Sequence, residues 1–157
     1  MHHGRLTLAL LAFALIAPAS ALAKPPKVLT QRPHHLFQIR PAWIGYTGDG
    51  TGFLGGADGS GAADPGHLRW RHYGQREAGA RGVVWLNECT PTCADGNFVS
   101  RPVRVRLFRP RDGRFTRMTL RYRYRSRRYV DQRGLRRVPG GDGYPGTWVW
   151  DIRRLAR

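Results

Sequence analysis

An all-β domain of antiparallel strands, either a β-sandwich or a small β-barrel, is the fold class this sequence predicts. Three observations carry the prediction. No window of about eleven residues sustains a helical period of apolar side chains. Short apolar segments recur about every eight to twelve residues, the spacing of strands joined by tight turns. Twenty glycines and eleven prolines punctuate the 157 residues between those segments.

The N-terminus comes first. His2, His3, Gly4 and Arg5 precede an apolar run from Leu6 to Ala17, followed by Pro18 and then Ala19 to Ala23. This is the layout of a secretory signal peptide, residues 1–23, with an A-x-A site at Ala21, Leu22 and Ala23. The apolar run is too short to cross a bilayer, which takes roughly 20 residues. Cleavage after Ala23 is therefore expected, giving a secreted, extracellular protein with no transmembrane segment. Residues 24–35, "KPPKVLTQRPHH", read as a Pro-rich basic lead-in, extended and poorly ordered. Residues 36–157 are expected to form one β-rich domain, long enough for a hydrophobic core.

Within that domain "HLFQIRPAWIGY" is a first strand or strand pair, and the glycine-rich residues 47–66 read as loop around a brief strand at Phe53 and Leu54. "HLRWRHY" alternates, Leu68 and Trp70 against Arg69 and Arg71, and "RGVVWLNE" reads as a strand buried on both faces. "RPVRVRLFRP" places Val103, Val105 and Leu107 opposite Arg104 and Arg106. "FTRMTLRYRYR" places Met118, Leu120, Tyr122 and Tyr124 opposite Arg117, Thr119, Arg121, Arg123 and Arg125. The Asp112-Gly113 turn signal between them predicts a hairpin. A last strand carries Trp148, Trp150 and Ile152 in register. The tryptophans Trp70, Trp85, Trp148 and Trp150, and the tyrosines of this hairpin, read as core residues.

The two cysteines stand in "NECTPTCADG", as Cys89 and Cys93. Zinc takes four ligands and the motif offers two sulfurs and no histidine. A thioredoxin-type centre needs C-x-x-C opening a helix, whereas here three residues intervene beside proline. In an exported chain the pair reads as a local disulfide across a turn, stabilising by about 2 kcal/mol in the chain-entropy model.

Charge is the strongest functional signal. The formal net charge is +17, and 25 of the 27 basic residues are arginine. Residues 101–157 hold eighteen arginines against four aspartates, while residues 24–100 hold eight basic residues against six acidic ones. Arg104, Arg106, Arg117, Arg121, Arg123 and Arg125 would share one face of the hairpin, with Arg109, Arg111, Arg127 and Arg128 at its margins. Guanidinium forks bind phosphate and sulfate, so such a face fits a polyanion: a cell-wall polymer, an anionic lipid surface or a nucleic acid. Read without a ligand, the same pattern is a solvated sheet face that resists edge aggregation.

Gly48-Asp49-Gly50, Trp70 with Tyr73, Ala80 to Gly82, Asn87 to Gly96, and Pro102 to Leu120 together resemble a group of small secreted actinobacterial proteins of unknown function. The resemblance covers about half of the chain, with the C-A-x-G turn its most specific part. It implies export and a compact stapled fold, and it carries over no catalytic residue.

No motif identifies an enzyme. G-x-S-x-G and H-E-x-x-H are both missing from the sequence. His34, His35, His67, His72, Glu77 and Glu88 are the acid-base candidates, and His72 with Glu77, Arg69 and Arg71 sketches the alternative, a small secreted basic hydrolase such as a ribonuclease. Asp49, Asp58 and Asp64 match no calcium-loop spacing and read as turn residues. No cofactor or metal is implied. The expected function is a non-enzymatic polyanion-binding module.

Overall fold

A computed structural model describes residues 23–30, 37–47, 50–56, 67–95, 97–138 and 147–152. The expected signal segment ahead of Ala23, together with His34, His35, Asp49, Asp58 and Asp64, lies outside the described residues. The all-β expectation holds. Among the described residues there are ten strands and no α-helix: β1 (Val28–Leu29), β2 (Phe37–Gln38), β3 (Ile44–Gly45), β4 (Gly52–Leu54), β5 (Arg69–Tyr73), β6 (Glu77–Asn87), β7 (Phe98–Arg111), β8 (Arg114–Tyr124), β9 (Arg127–Val138) and β10 (Thr147–Ile152). Eight of them form one antiparallel sheet, curled into a half-barrel, in the order β10-β9-β8-β7-β6-β4-β3. Strand β6 is long enough to take two partners on its far edge, β5 along Ala78–Arg81 and β4 along Val84–Leu86.

The inner face of the half-barrel is the core. Val103, Val105, Leu107, Met118 and Leu120 are buried, as are Ala78, Ala80 and Val84 from β6. Each Val or Leu withdrawn from water contributes about 1.5 to 3 kcal/mol, enough to set the register of β6, β7 and β8. Trp150 and Leu135 are register partners at the β10 end of this core.

The proline-rich lead-in is not poorly ordered where it is described. Val28 and Leu29 are fully buried and Thr30 is 1 % exposed. The Lys27 amide donates to Gly113 O (2.8 Å), and Lys27 O accepts from the Phe115 amide (2.9 Å). Tyr73 Oη donates to Pro26 O (2.9 Å), and Trp150 Nε1 donates to Leu29 O (3.0 Å). Two apolar residues in a basic, proline-rich stretch were enough to close the open side of the half-barrel.

The β7–β8 turn is the one its sequence announces. Asp112 (φ 49°) and Gly113 (φ 67°) both lie in the left-handed region, as a two-residue type I′ hairpin requires. The β8–β9 turn has the same geometry at Arg125 (φ 45°) and Ser126 (φ 63°), residues that rarely adopt it. Strand β9 was invisible in the sequence because its inner positions alternate Asp131, Arg133, Leu135 and Arg137 in place of an apolar series.

Candidate anion-binding face

Residues that face each other across an antiparallel ladder project to the same side of the sheet. Arg69 of β5 faces Arg81 of β6, Arg81 faces Arg104 of β7, and Arg104 faces Arg121 of β8. Four arginines thus form one unbroken row across four adjacent strands, on the outer face. All four are exposed. One step along the strands, Arg123 of β8 faces Arg128 of β9. Arg81, Arg104, Arg121, Arg123 and Arg128 line a common groove of about 920 Å³ with Pro102 and Val130.

Like charges set directly opposite each other oppose folding, so this row is a cost that the core carries. Carboxylates elsewhere do not relieve it. Among the described residues, Glu77 pairs with Arg106 (2.7 Å), Glu88 with Arg125 (3.2 Å), Asp131 with Arg133 (2.9 Å) and Asp151 with Arg136 (2.6 Å). Asp95 accepts from Thr92 Oγ1 (2.6 Å), and Asp112 occupies the β7–β8 turn. No described carboxylate lies within ion-pair distance of Arg69, Arg81, Arg104, Arg121, Arg123 or Arg128.

The six arginines singled out from sequence divide four ways. Arg104, Arg121 and Arg123 belong to the groove. Arg106 shares their face but donates twice to Glu77 Oε2, through Nε (3.1 Å) and a terminal nitrogen (2.7 Å). Arg117, half-buried, lies toward the β7–β8 turn and lines a second pocket of about 260 Å³ with Arg109, Arg111 and Arg114. Arg125 sits in the β8–β9 turn. Arg69 and Arg81 were missed as members of the row, and Arg128 was placed only at its margin. Alternation around Arg69 was readable, but the alignment of β5, β6 and β7 was not.

The disulfide between Cys89 and Cys93 is formed. It closes the turn that presents Glu88, whose amide donates to Asn97 O (2.9 Å). Asn87 braces the turn, donating through Nδ2 to Cys93 O (2.7 Å) and accepting from the Cys89 amide (2.9 Å). Glu88 accepts from Tyr124 Oη and from Arg125, and these bonds hold its carboxyl below the usual carboxylate range, Tyr124 contributing most. The staple therefore anchors the β8–β9 turn that ends the groove.

His72 and Glu77, the sketched acid-base pair, do meet: His72 Nε2 lies 3.6 Å from Glu77 Oε1. A bulge between Trp70 and His72 turns the histidine outward over Gly79, where an added Cβ would come within 2.3 Å of His72 Cε1. Arg106, donating to Glu77, holds that carboxyl low, and this makes it a weak base. Arg71, drawn with them from sequence, falls at the bulge.

The aromatic residues near the row form two groups, one on the outer face and one at the groove. Trp43, Phe53 and Trp85 stack in series, with Phe98 5.2 Å from Phe53. Tyr122 and Tyr129 stack on each other at 5.4 Å from facing positions that alternate with the row, and both line the groove, Tyr129 being 38 % exposed. Among the described residues no three His, Cys, Asp or Glu gather as metal ligands, and no helix is long and apolar enough to cross a membrane. No protein-family model matches the chain, and neither a curated protein nor a solved structure is significantly similar to it.

Proposed function

We propose that this chain is an exported, non-enzymatic module that binds a polyanion through the outer face of its sheet. One observation carries the reading: a register-aligned row of exposed arginines, running into a groove, with no described carboxylate within ion-pair distance. Folding alone would favour interspersed charge on these strands, since opposed like charges are destabilising. A bound polyanion turns the same row into a source of free energy by releasing its counterions.

Retention on heparin by itself reports only the net charge. The informative comparison replaces Arg81, Arg104, Arg121 and Arg123 with Gln, or replaces Arg76, Arg111, Arg127 and Arg137, which are exposed and outside the row. Both variants lose the same charge. The row variant is expected to elute at much lower salt than the control variant. Equal weakening in the two would leave the row as a solvated face.

The 3.6 Å contact between His72 and Glu77 supports a second reading, a small basic hydrolase using the row to hold its substrate. Incubation with RNA is the test. Products lost in His72→Ala would favour that reading over the binding module.

A further inference from the structure

Resting on the polyanion reading, we propose that the groove binds a single-stranded nucleic acid, with phosphates on its arginines and a base stacked on Tyr129.

The groove lies where two ladders part. Strand β7 pairs with β8 only as far as Val103 and Tyr122. Beyond that point β7 runs on with β6 to Phe98, while β8 runs on with β9 to Tyr124 and Arg127. Pro102, which has no amide hydrogen to donate, is the first residue of β7 past the last shared pair. Arg104 stands on one bank and faces Arg121 at the closed end, and Arg123 with Arg128 stands on the other. Side chains that alternate along a strand reach this gap together. Arg121, Tyr122 and Arg123 of β8 all line it, as do Arg128, Tyr129 and Val130 of β9.

A tie across the gap fixes the spacing of its two arms. Glu88, just past β6, accepts from Tyr124 Oη and from Arg125 (3.2 Å), and the Arg101 guanidinium of β7 lies 5.6 Å over the Tyr124 ring. Tyr124 is thereby committed to the fold. Tyr129 is not. Among the described residues no hydrogen bond and no guanidinium engages it, and it is 38 % exposed. Its ring lies 5.4 Å from that of Tyr122 at an interplanar angle of 10°, with Tyr124 tilted at 58° and 6.2 Å. Two parallel rings, one of them part-exposed between guanidiniums, make a platform that an unpaired base can extend.

Charge and ring together narrow the ligand. A phosphate repeat accounts for the arginines, and every base has a π-face to offer the tyrosine. A polymer without bases would use the guanidiniums and leave Tyr129 and the 55 %-exposed Val130 without a partner. A duplex hides its base faces in its own stack and is limited to the same charge contacts. A single strand uses both. The groove's volume of about 920 Å³ lies within the roughly 300 to 1,000 Å³ of sites that enclose small molecules, so a nucleotide has room to enter.

The test uses the intact protein and three probes with equal numbers of phosphates: an oligothymidylate, an abasic phosphodiester oligomer and a short DNA duplex. The oligothymidylate is expected to bind about fivefold or more tighter than the abasic oligomer, the gain from stacking one base. The duplex, whose bases are already stacked, should bind less tightly than the oligothymidylate. Tyr129→Ala should bring the oligothymidylate down to the abasic level and leave the abasic oligomer within about twofold, while Tyr129→Phe keeps the preference. The row variant should instead weaken both single-stranded probes together and lower their log–log salt slope by about three, at about 0.7 per lost contact. Comparing the two single strands on the unaltered protein decides the matter whether or not Tyr129→Ala folds. Equal binding of oligothymidylate and abasic oligomer, preference for the duplex, or a Tyr129→Ala loss shared equally by both probes would overturn the proposal while leaving a polyanion surface intact. Failure of every probe to bind would remove the polyanion reading itself.

Discussion

Arginine stands on both faces of this sheet, and the two faces treat it in opposite ways. On the inner face Arg133 is 9 % exposed. It donates to Asp131 through Nε (3.1 Å) and a terminal nitrogen (2.9 Å), donates to Tyr46 O (3.3 Å) and lies 4.8 Å over the Tyr46 ring. On the outer face Arg69, Arg81, Arg104 and Arg121 stand side by side with no acid among the described residues to meet them. A buried charge must be paired because its desolvation is otherwise uncompensated. An exposed one is tolerated unpaired because water screens it. The inner arginine is therefore structural, and the outer ones remain available to a ligand.

The contrast predicts a sharp difference in stability. Arg133→Ala leaves Asp131 partly buried without its partner and is expected to cost about 3 kcal/mol. A paired change, Arg133→Met with Asp131→Leu, should recover most of that loss. Urea denaturation measures both, and an equal cost for the single and double variants would show that the ion pair is not what matters.

The disulfide supports both faces from one end. Cys89→Ser with Cys93→Ser is expected to lower stability by about 2 kcal/mol. Because the staple positions the β8–β9 turn and not the Arg69–Arg81–Arg104 part of the row, polyanion affinity should fall far less than in the row variant. Thermal melting and heparin elution on the same samples separate the two effects.

The inner face also carries a pH signature. Burial pushes the Tyr73 phenol up to about 12, while its hydroxyl donates to Pro26 O. The unfolded phenol ionises near pH 10, so stability is full below that value and falls as pH rises toward 12. Tyr73→Phe should reduce this alkaline decline, with the remainder coming from Tyr122 and Tyr124, whose phenols are also held above the usual value, while costing about 1 kcal/mol at neutral pH. On the acid side the carboxyls of Glu77 and Glu88 are held low, so stability declines as pH falls below about 4 through their folded values. A Tyr73→Phe protein that loses stability above pH 10 as steeply as the parent would place the main titrating group elsewhere.

The smallest effect has the opposite sign. Arg81→Gln with Arg121→Gln breaks all three opposed pairs of the row and should raise stability by about 0.5 kcal/mol at low salt. The gain should shrink as salt is added. Destabilisation in this variant would mean that the row contributes to the fold after all.

Much of this molecule was determined by sequence alone, for a local reason. Alternation of Val103, Val105 and Leu107 with Arg104 and Arg106 forces one side inward, whatever the strand pairs with. Asp112 and Gly113 select their turn, and four residues of separation across a proline bring Cys89 and Cys93 together. The all-β class, the β7–β8 hairpin and the staple follow from such patterns. Other features came only from tertiary structure. Val28 and Leu29 lie in a stretch whose prolines and charges read as unstructured, and they are buried because the half-barrel has an open side to fill. Strand β9 hides behind Asp131 and Arg133, which are polar yet face inward because they satisfy each other. The arginine row depends on register between strands up to 52 residues apart, from Arg69 to Arg121. Register is set by the summed burial of the core on the other face, and no local pattern in the sequence records which arginine will stand opposite which.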